Sequence, residues 1–141
     1  MYATAEDMVR KFGLREVLML ADPEDTGEID STILDGALTE ASAEIDTYLA
    51  GRYRLPLDPM PAHLATICCN IARYMLTGDE RLETSAIGER YKAAVRYLEL
   101  VASGKVTLGP AAEDGITPSA DGDVQFLQGT RVFARHGFGA F

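Results

Sequence analysis

Residues 30–61 read DSTILDGALTEASAEIDTYLAGRYRLPLDPMP, and this stretch decides the fold. Its apolar residues recur every three or four positions: Ile33, Leu34, Ala37, Leu38, Ala41, Ile45, Tyr48 and Leu49. This spacing predicts a helix of about five turns with one apolar face. Asp30 suits the N-cap, because its side chain can accept hydrogen bonds from the first free amides. Gly51 and the prolines that follow it end the helix.

The segment before this helix carries the same periodicity. It predicts a helix over 5–21, with Thr4 and Asp7 placed as a capping box, although Asp stands where Glu is usual. Gly13 interrupts the pattern and marks either a kink or a break into two short helices.

Two more helices are predicted after the central one. The third runs from Pro61, which suits a first helical position, to Gly78, and the fourth spans roughly 84–103. We therefore predict an all-α protein, a compact bundle of about four helices. Its core is expected to bury one set of residues together: Leu38, Ile45, Leu49, Ile67, Ile71, Val95 and Leu98.

The composition changes after Lys105. Gly, Pro, Ala and Asp dominate at first and cannot build a core alone, and phenylalanines follow. We predict a helical domain at 1–105 and a flexible linker with a C-terminal docking tail at 106–141. Residues 124–134 could form a short β-hairpin, which would be marginal in isolation. The tail residues Phe133, Phe138 and Phe141 are candidate contacts, either with another protein or with the chain's own helices.

Composition and charge limit the class of protein. A chain of 141 residues can bury a modest core in one domain. The net charge of −9 argues against a general affinity for DNA, which comes largely from neutralised phosphates. No uncharged run approaches the ~20 residues of a membrane span, and no secretory signal is present. We expect a cytoplasmic protein in which the adjacent Cys68 and Cys69 are reduced, because a bond between them would be strained.

The charge is also unevenly distributed along the chain. Residues 22–46 hold nine acidic residues and no Lys or Arg, whereas residues 52–105 hold eight basic and six acidic residues. Identical copies meeting head to tail could use such an asymmetry, since that contact joins two different patches. Solvated helix faces explain the same pattern without a partner.

The loop at 22–30 is the one stretch that resembles a cation site. Aligned to an EF-hand loop, Asp22, Glu24, Thr26 and Asp30 take ligand positions 1, 3, 5 and 9. The bidentate Glu of position 12 is replaced by Ile33. A polar loop that caps the next helix explains these residues equally well, so they are candidate ligands only.

Catalytic signatures are not found in the sequence. His63 and His136 lie far apart, and no pattern places a base beside a nucleophile. We therefore expect neither an enzyme nor a bound cofactor.

Several short groups of residues, taken in order, resemble a known family. They are Tyr2-Ala3-Thr4, Glu44-Ile45-Asp46, Tyr48-Leu49, Arg52-Tyr53, Pro56, Ile71-Ala72-Arg73-Tyr74, Glu89-Arg90-Tyr91-Lys92-Ala93-Ala94, Leu98, Gly104-Lys105, Leu108-Gly109 and Arg131-Val132-Phe133-Ala134-Arg135. In order and spacing they are similar to the gp36-like proteins of Mu-type phages and prophages. The resemblance covers most of the chain, and residues 110–125 match least.

The resemblance implies a function as well as a fold. Proteins of this group are similar to the small helical head–tail connector, or head-completion, proteins of tailed phages. A connector subunit would form a homo-oligomeric ring beneath the portal and contact portal, head or tail proteins. It would be found in the host cytoplasm during assembly and at the head–tail junction of the virion. No catalytic residues come with the resemblance.

The leading hypothesis is therefore a virion structural protein. Its candidate interface residues are Arg52, Tyr53 and Arg54, facing acids that include Glu44 and Asp46. Specific binding of nucleic acid is not expected, because acidic surfaces let DNA slide past by repulsion. The alternative is a small acidic regulatory or binding module, gated by a divalent cation at residues 22–30.

Overall fold

The computed structural model describes residues 1–78 and 85–109. Within them the chain forms five helices: α1 (Ala5–Phe12), α2 (Leu14–Ala21), α3 (Ser31–Leu49), α4 (Ala62–Thr77) and α5 (Ala86–Ala102). No strand occurs in these two ranges, and the predicted all-α class is confirmed. The predicted hairpin at 124–134 lies outside the described residues.

The first predicted helix is divided in two at Gly13. Its start matches the prediction, because the Thr4 amide donates to Asp7 Oδ2 at 2.9 Å and the Asp7 amide donates to Thr4 Oγ1 at 3.3 Å. Gly13 then ends α1 and precedes α2 with φ 88° and ψ 149°. Of the two alternatives left open by the sequence, the break is the one that forms.

The central helix α3 begins and ends where its sequence indicates. Asp30 Oδ1 accepts hydrogen bonds from the amides of Thr32 at 2.8 Å and Ile33 at 3.3 Å. At the other end the Leu49 carbonyl accepts from the amides of Arg52 and Tyr53. The α3–α4 connector, residues 50–61, therefore leaves the helix in a tight turn.

The prediction that Pro61 is the first helical residue is wrong by one position. Pro61 has φ −64° and ψ 126°, so it occupies the N-cap and α4 begins at Ala62. The fixed proline φ suits both positions, and the extended ψ decides between them. The next helix, α5, is capped by Ser85, whose Oγ accepts from the Gly88 amide at 3.2 Å.

The helices α3, α4 and α5 each pack against the other two, and α1 and α2 pack on α3 and α4. Six of the seven predicted core residues are buried: Leu38, Ile45, Leu49, Ile67, Ile71 and Leu98. Val95 is only half-buried, which corrects that part of the prediction. The buried face of α5 follows Ala94, Leu98 and Val101, and Val95 lies about 100° around the helix from Ala94.

The packed body extends beyond the predicted domain boundary at 105. Val106 packs against the core, and Leu108 is buried. The Leu108 amide donates to the hydroxyl of Tyr53 at 3.3 Å. This contact attaches the chain after α5 to the turn that follows α3.

Candidate functional site

The candidate interface residues Arg52, Tyr53 and Arg54 have three different environments. Tyr53 is only 5% exposed, and its hydroxyl accepts the Leu108 amide, so its side chain belongs to the core of its own subunit. Arg54 is exposed. Of the three, Arg54 is therefore the one whose whole side chain is accessible to another molecule.

Arg52 is half-buried and lies over Gly104, just after α5. A Cβ added to Gly104 would stand 2.0 Å from Arg52 Nη1, so the guanidinium occupies the space that a side chain there would fill. A cation near the C-terminal end of α5 also interacts favourably with the helix dipole. Arg52 thus connects the end of α3 to the end of α5, and its side chain is partly exposed to solvent.

The candidate acids Glu44 and Asp46 are half-buried on α3 and accept hydrogen bonds from tyrosines of the same subunit. The Tyr91 hydroxyl donates to Glu44 Oε1 at 3.1 Å, and the Tyr91 ring stacks on Tyr74 with centroids 4.1 Å apart. The Tyr2 hydroxyl donates to Asp46 Oδ1. Burial and the Glu44 carboxylate raise the pKa of Tyr91 to about 12. Burial and Asp46 raise the pKa of Tyr2 well above its ordinary value.

The exposed charges form two different surfaces. The first, here named the acidic surface, consists of exposed acids in the α2–α3 loop and on α3: Glu24, Asp25, Glu28, Asp30, Asp35 and Glu40. The second is an open groove of about 560 Å³ along α5, here named the α5 groove, whose lining includes Tyr91, Val95, Arg96, Glu99, Leu100 and Lys105. Arg52, packed on Gly104, adjoins its Lys105 end. One body therefore presents an acidic surface and a groove with basic side chains.

Three of the four candidate cation ligands, Asp22, Thr26 and Asp30, are engaged in hydrogen bonds within the α2–α3 loop or at the start of α3. Asp22 Oδ1 accepts from the Thr26 amide at 2.9 Å and the Thr26 hydroxyl at 3.0 Å, and Oδ2 accepts from the Gly27 amide at 2.7 Å. These bonds hold the pKa of Asp22 below its usual value. Asp30 caps α3, and Glu24 is exposed. Within the described ranges, no three His, Cys, Asp or Glu side chains are grouped as a metal site.

A second open groove, of about 620 Å³, lies between α2, the end of α4 and the start of α5. We name it the α2 groove, and its lining includes Phe12, Glu16, Met19, Leu20, Leu76 and Ile87. Arg73 forms an ion pair with Glu16, and its guanidinium carbon lies 4.5 Å from the centre of the Phe12 ring. Met19 is 79% exposed. Arg73 therefore holds two of the lining side chains, Glu16 and Phe12, while Met19 is exposed.

Sequence reasoning missed this groove and both tyrosine–carboxylate pairs. Met19 lies outside the apolar face of α2, and this position was the signal in the sequence for an exposed apolar side chain at the groove. The pairing of Tyr2 with Asp46, 44 residues apart, has no local signal. The hydrogen bond that the Tyr2 amide donates to Ser42 Oγ at 3.1 Å also has no local signal in the sequence.

Among the described residues, the cysteines and the histidine differ in their exposure to solvent. Cys68 and Cys69 are buried free thiols, and burial raises the pKa of Cys69 to about 11. Their reduced state in the cell stays a prediction. His63 is exposed, and its ring lies 4.9 Å from that of Tyr97. Phe133, Phe138 and Phe141 of the tail, like His136, lie outside the described residues.

No helix in the described ranges has the length and apolar content to cross a bilayer.

Comparison with known proteins identifies the family of this chain. The family model described as Bacteriophage Mu, Gp36 matches residues 2–126. The Mu-like prophage FluMu protein gp36 of Haemophilus influenzae is 36% identical over 122 residues, covering 86% of this chain and 85% of the relative. Gene product J of Escherichia phage Mu is 34% identical over 135 residues, covering 95% and 94%. The resemblance drawn from the sequence is thereby confirmed, and this phage-related chain belongs to the Bacteriophage Mu Gp36 family.

Proposed function

We propose that this chain is a virion structural protein of a Mu-type phage or prophage, and specifically a subunit of the head–tail connector. Its copies assemble in a ring and dock on portal, head or tail proteins. Membership of a Mu phage family supports the phage-related part of the proposal. The role at the head–tail junction rests on analogy with small helical connector proteins and on the surfaces described above.

The two charged surfaces are the observation that carries the proposal. A ring requires a heterologous contact, in which one patch of each copy meets a different patch of the next. The acidic surface is exposed in the α2–α3 loop and on α3, and the basic side chains Arg96 and Lys105 line the α5 groove. Oppositely charged surfaces steer encounter and fix the orientation of the partners.

The body behind these surfaces is suited to a structural role. The core residues Leu34, Leu38, Ile45, Leu64, Ile71 and Leu98 are fully buried. A close-packed interior transmits load and resists deformation. An acidic exterior beside a DNA channel would also let DNA pass by repulsion. We propose no catalytic activity and no cofactor, and we place the protein in the host cytoplasm during assembly and in the virion afterwards.

The alternative, a binding module gated by a cation, gains no specific support. The carboxylate of Asp22 accepts three hydrogen bonds from Thr26 and Gly27 within its own loop, and Asp30 caps α3. These bonds account for the loop without an ion.

Charge reversal in the α5 groove tests the connector proposal. The wild-type chain is expected to form a discrete oligomer, alone or on mixing with the portal protein of its phage. The variant Arg96→Glu/Lys105→Glu should raise the dissociation constant at least about tenfold, because the acidic surface would then face like charge. The measurement is light scattering behind size exclusion over a concentration series.

Three further variants sharpen this test. Arg54→Glu should weaken assembly while the monomer stays folded, whereas Arg52→Glu would also disturb packing on Gly104. Arg90→Glu, an exposed reversal on α5 outside the groove lining, is the matched control and should assemble normally. A groove variant that assembles as well as the wild type would remove the basis for the proposed contact.

A further inference from the structure

The α2 groove is an apolar surface that no described part of the chain covers. Its volume of about 620 Å³ is within the usual range for sites that bind a ligand or an anchoring side chain. Met19 is 79% exposed at its edge, and it is the most exposed large apolar residue among the described ones. Methionine adapts readily to a partner's shape. An exposed apolar surface of this kind indicates an interaction site.

The sequence contains one segment whose chemistry fits the groove. The chain continues for 32 residues after Gly109, and four of its five phenylalanines are there, at 126, 133, 138 and 141. The fifth, Phe12, lines the groove itself. Residues 124–141 also carry Arg131 and Arg135 and no acid. Aromatic side chains are common anchors in interface pockets.

Acidic side chains near the groove complement this basic segment, whereas Arg15 in the groove lining does not. The last residues of α2 line the groove, and the α2–α3 loop that follows contains five acids and no Lys or Arg at 22–30. Arg131 and Arg135 could approach this loop while the phenylalanines enter the groove. Within the groove, Glu16 is already paired with Arg73.

The tail starts at the end of the body opposite the groove. The described chain ends beside Tyr53, close to the C-terminal end of α5, because Leu108 is held there. Ile87, in the groove, is in the first turn of α5. These two ends of α5 are separated by about 22 Å. A tail that leaves one end of the body and a groove at the other end suit a head-to-tail contact between copies, the type that closes rings. Residues 110–123 can span up to about 46 Å and could also reach the groove of the same subunit, so the proposed ring is the reason for choosing a neighbour.

We propose that the α2 groove binds the C-terminal segment, residues 124–141, of a neighbouring copy of this chain, with phenylalanine side chains seated against Phe12, Met19 and Ile87. This inference rests on the proposed ring-forming function. The tail is then a second contact between the same neighbours that meet through their charged surfaces.

The test uses two full-length variants, each defective in one half of the contact. Met19→Asp places a charge in the groove, and Phe138→Asp/Phe141→Asp places charges in the tail. Each should raise the dissociation constant of the oligomer at least about tenfold, measured by light scattering. Met19→Leu should retain wild-type assembly. Met60→Asp, at an exposed methionine of the α3–α4 connector, is the control for a surface charge and should also retain it.

Mixing the two defective variants distinguishes contact between copies from contact within one. One intact tail then meets one intact groove, and the remaining tail and groove are both defective. The mixture should therefore stop at a dimer, twice the chain mass of 15.3 kDa, at concentrations where each variant alone is monomeric.

Three results would overturn the inference. If both variants assemble like the wild type, the tail–groove contact is wrong while the ring proposal survives. If the variants lose thermal stability with no change in mass and no dimer on mixing, the tail packs on its own subunit. If the wild type stays monomeric at all concentrations and with the portal protein, the connector proposal itself fails, and this contact with it.

Discussion

Two tyrosine hydroxyls, from opposite ends of the described chain, donate to carboxylates on the same helix. Tyr2 bonds to Asp46 and Tyr91 to Glu44, so the N-terminal segment and α5 are both tied to α3. In each pair the neutral phenol donates to a charged acceptor, and such bonds are stronger than those between neutral groups. The acids that appeared available for an interface therefore contribute to the subunit's own packing.

Alkaline unfolding should report on the Tyr91–Glu44 pair. The pKa of Tyr91 is raised to about 12, while tyrosines of the unfolded chain titrate near 10. The folded chain therefore keeps a proton that the unfolded chain loses between those values. This contribution to stability is complete below pH 10 and is lost as the pH rises towards 12. Urea midpoints measured across this range should fall steeply.

Variants at this pair isolate its part in the pH dependence. Tyr91→Phe should cost about 1 kcal/mol at pH 7, from the lost hydrogen bond, and should flatten the alkaline slope. Glu44→Gln keeps an acceptor but removes the charge, so its slope should lie between those of Tyr91→Phe and the wild type. An unchanged slope in Tyr91→Phe would show that other groups dominate.

Gly13 determines where one helix becomes two. Its φ of 88° and ψ of 149° lie near a region that is essentially restricted to glycine. Gly13→Ala should therefore cost about 1–3 kcal/mol in the free energy of unfolding, measured by urea denaturation. No atom lies within 4 Å of an added Cβ, so backbone strain is the cause and not a clash.

Gly36 provides the matched control for that substitution. It lies within α3 in helical conformation, and an added Cβ there also meets nothing within 4 Å. Gly36→Ala should stabilise the protein by about 0.5–1 kcal/mol, because alanine loses less entropy on forming a helix. If both substitutions changed stability in the same direction, the break at Gly13 would not depend on its dihedral angles.

In the molecule as a whole, stability depends on the contacts among α3, α4 and α5. Ile45 on α3 and Ile71 on α4 are both fully buried in the shared core. Ile45→Ala and Ile71→Ala should each cost about 2–5 kcal/mol in urea unfolding. Met60→Ala, at an exposed position, should change stability by less than about 0.5 kcal/mol. A small effect at both isoleucines would mean that the core packs differently.

Much of the helical body could be predicted because its signals are local. The periodicity of α3, the Asp30 cap and the Thr4–Asp7 box each depend on residues a few positions apart.

The errors arose where local signals are ambiguous. Val95 lies at the edge of the buried face of α5, and the choice between an N-cap and a first helical position for Pro61 depends on ψ. Tyr53, one of the candidate interface residues, has the polarity of a surface residue and the burial of a core one.

The sequence alone therefore determined the fold class, the caps that begin α1 and α3, the core faces of α3 and α4, and the family. These properties follow from side-chain spacing and backbone hydrogen bonding within single helices. Tertiary structure alone decided which charged residues remain accessible. It paired Glu44 and Asp46 with tyrosines more than 40 positions away and packed Arg52 on Gly104. It also exposed Met19 in a groove lined by residues of four helices, α1, α2, α4 and α5. Contacts between distant residues depend on how helices pack, and spacing along one helix does not encode them.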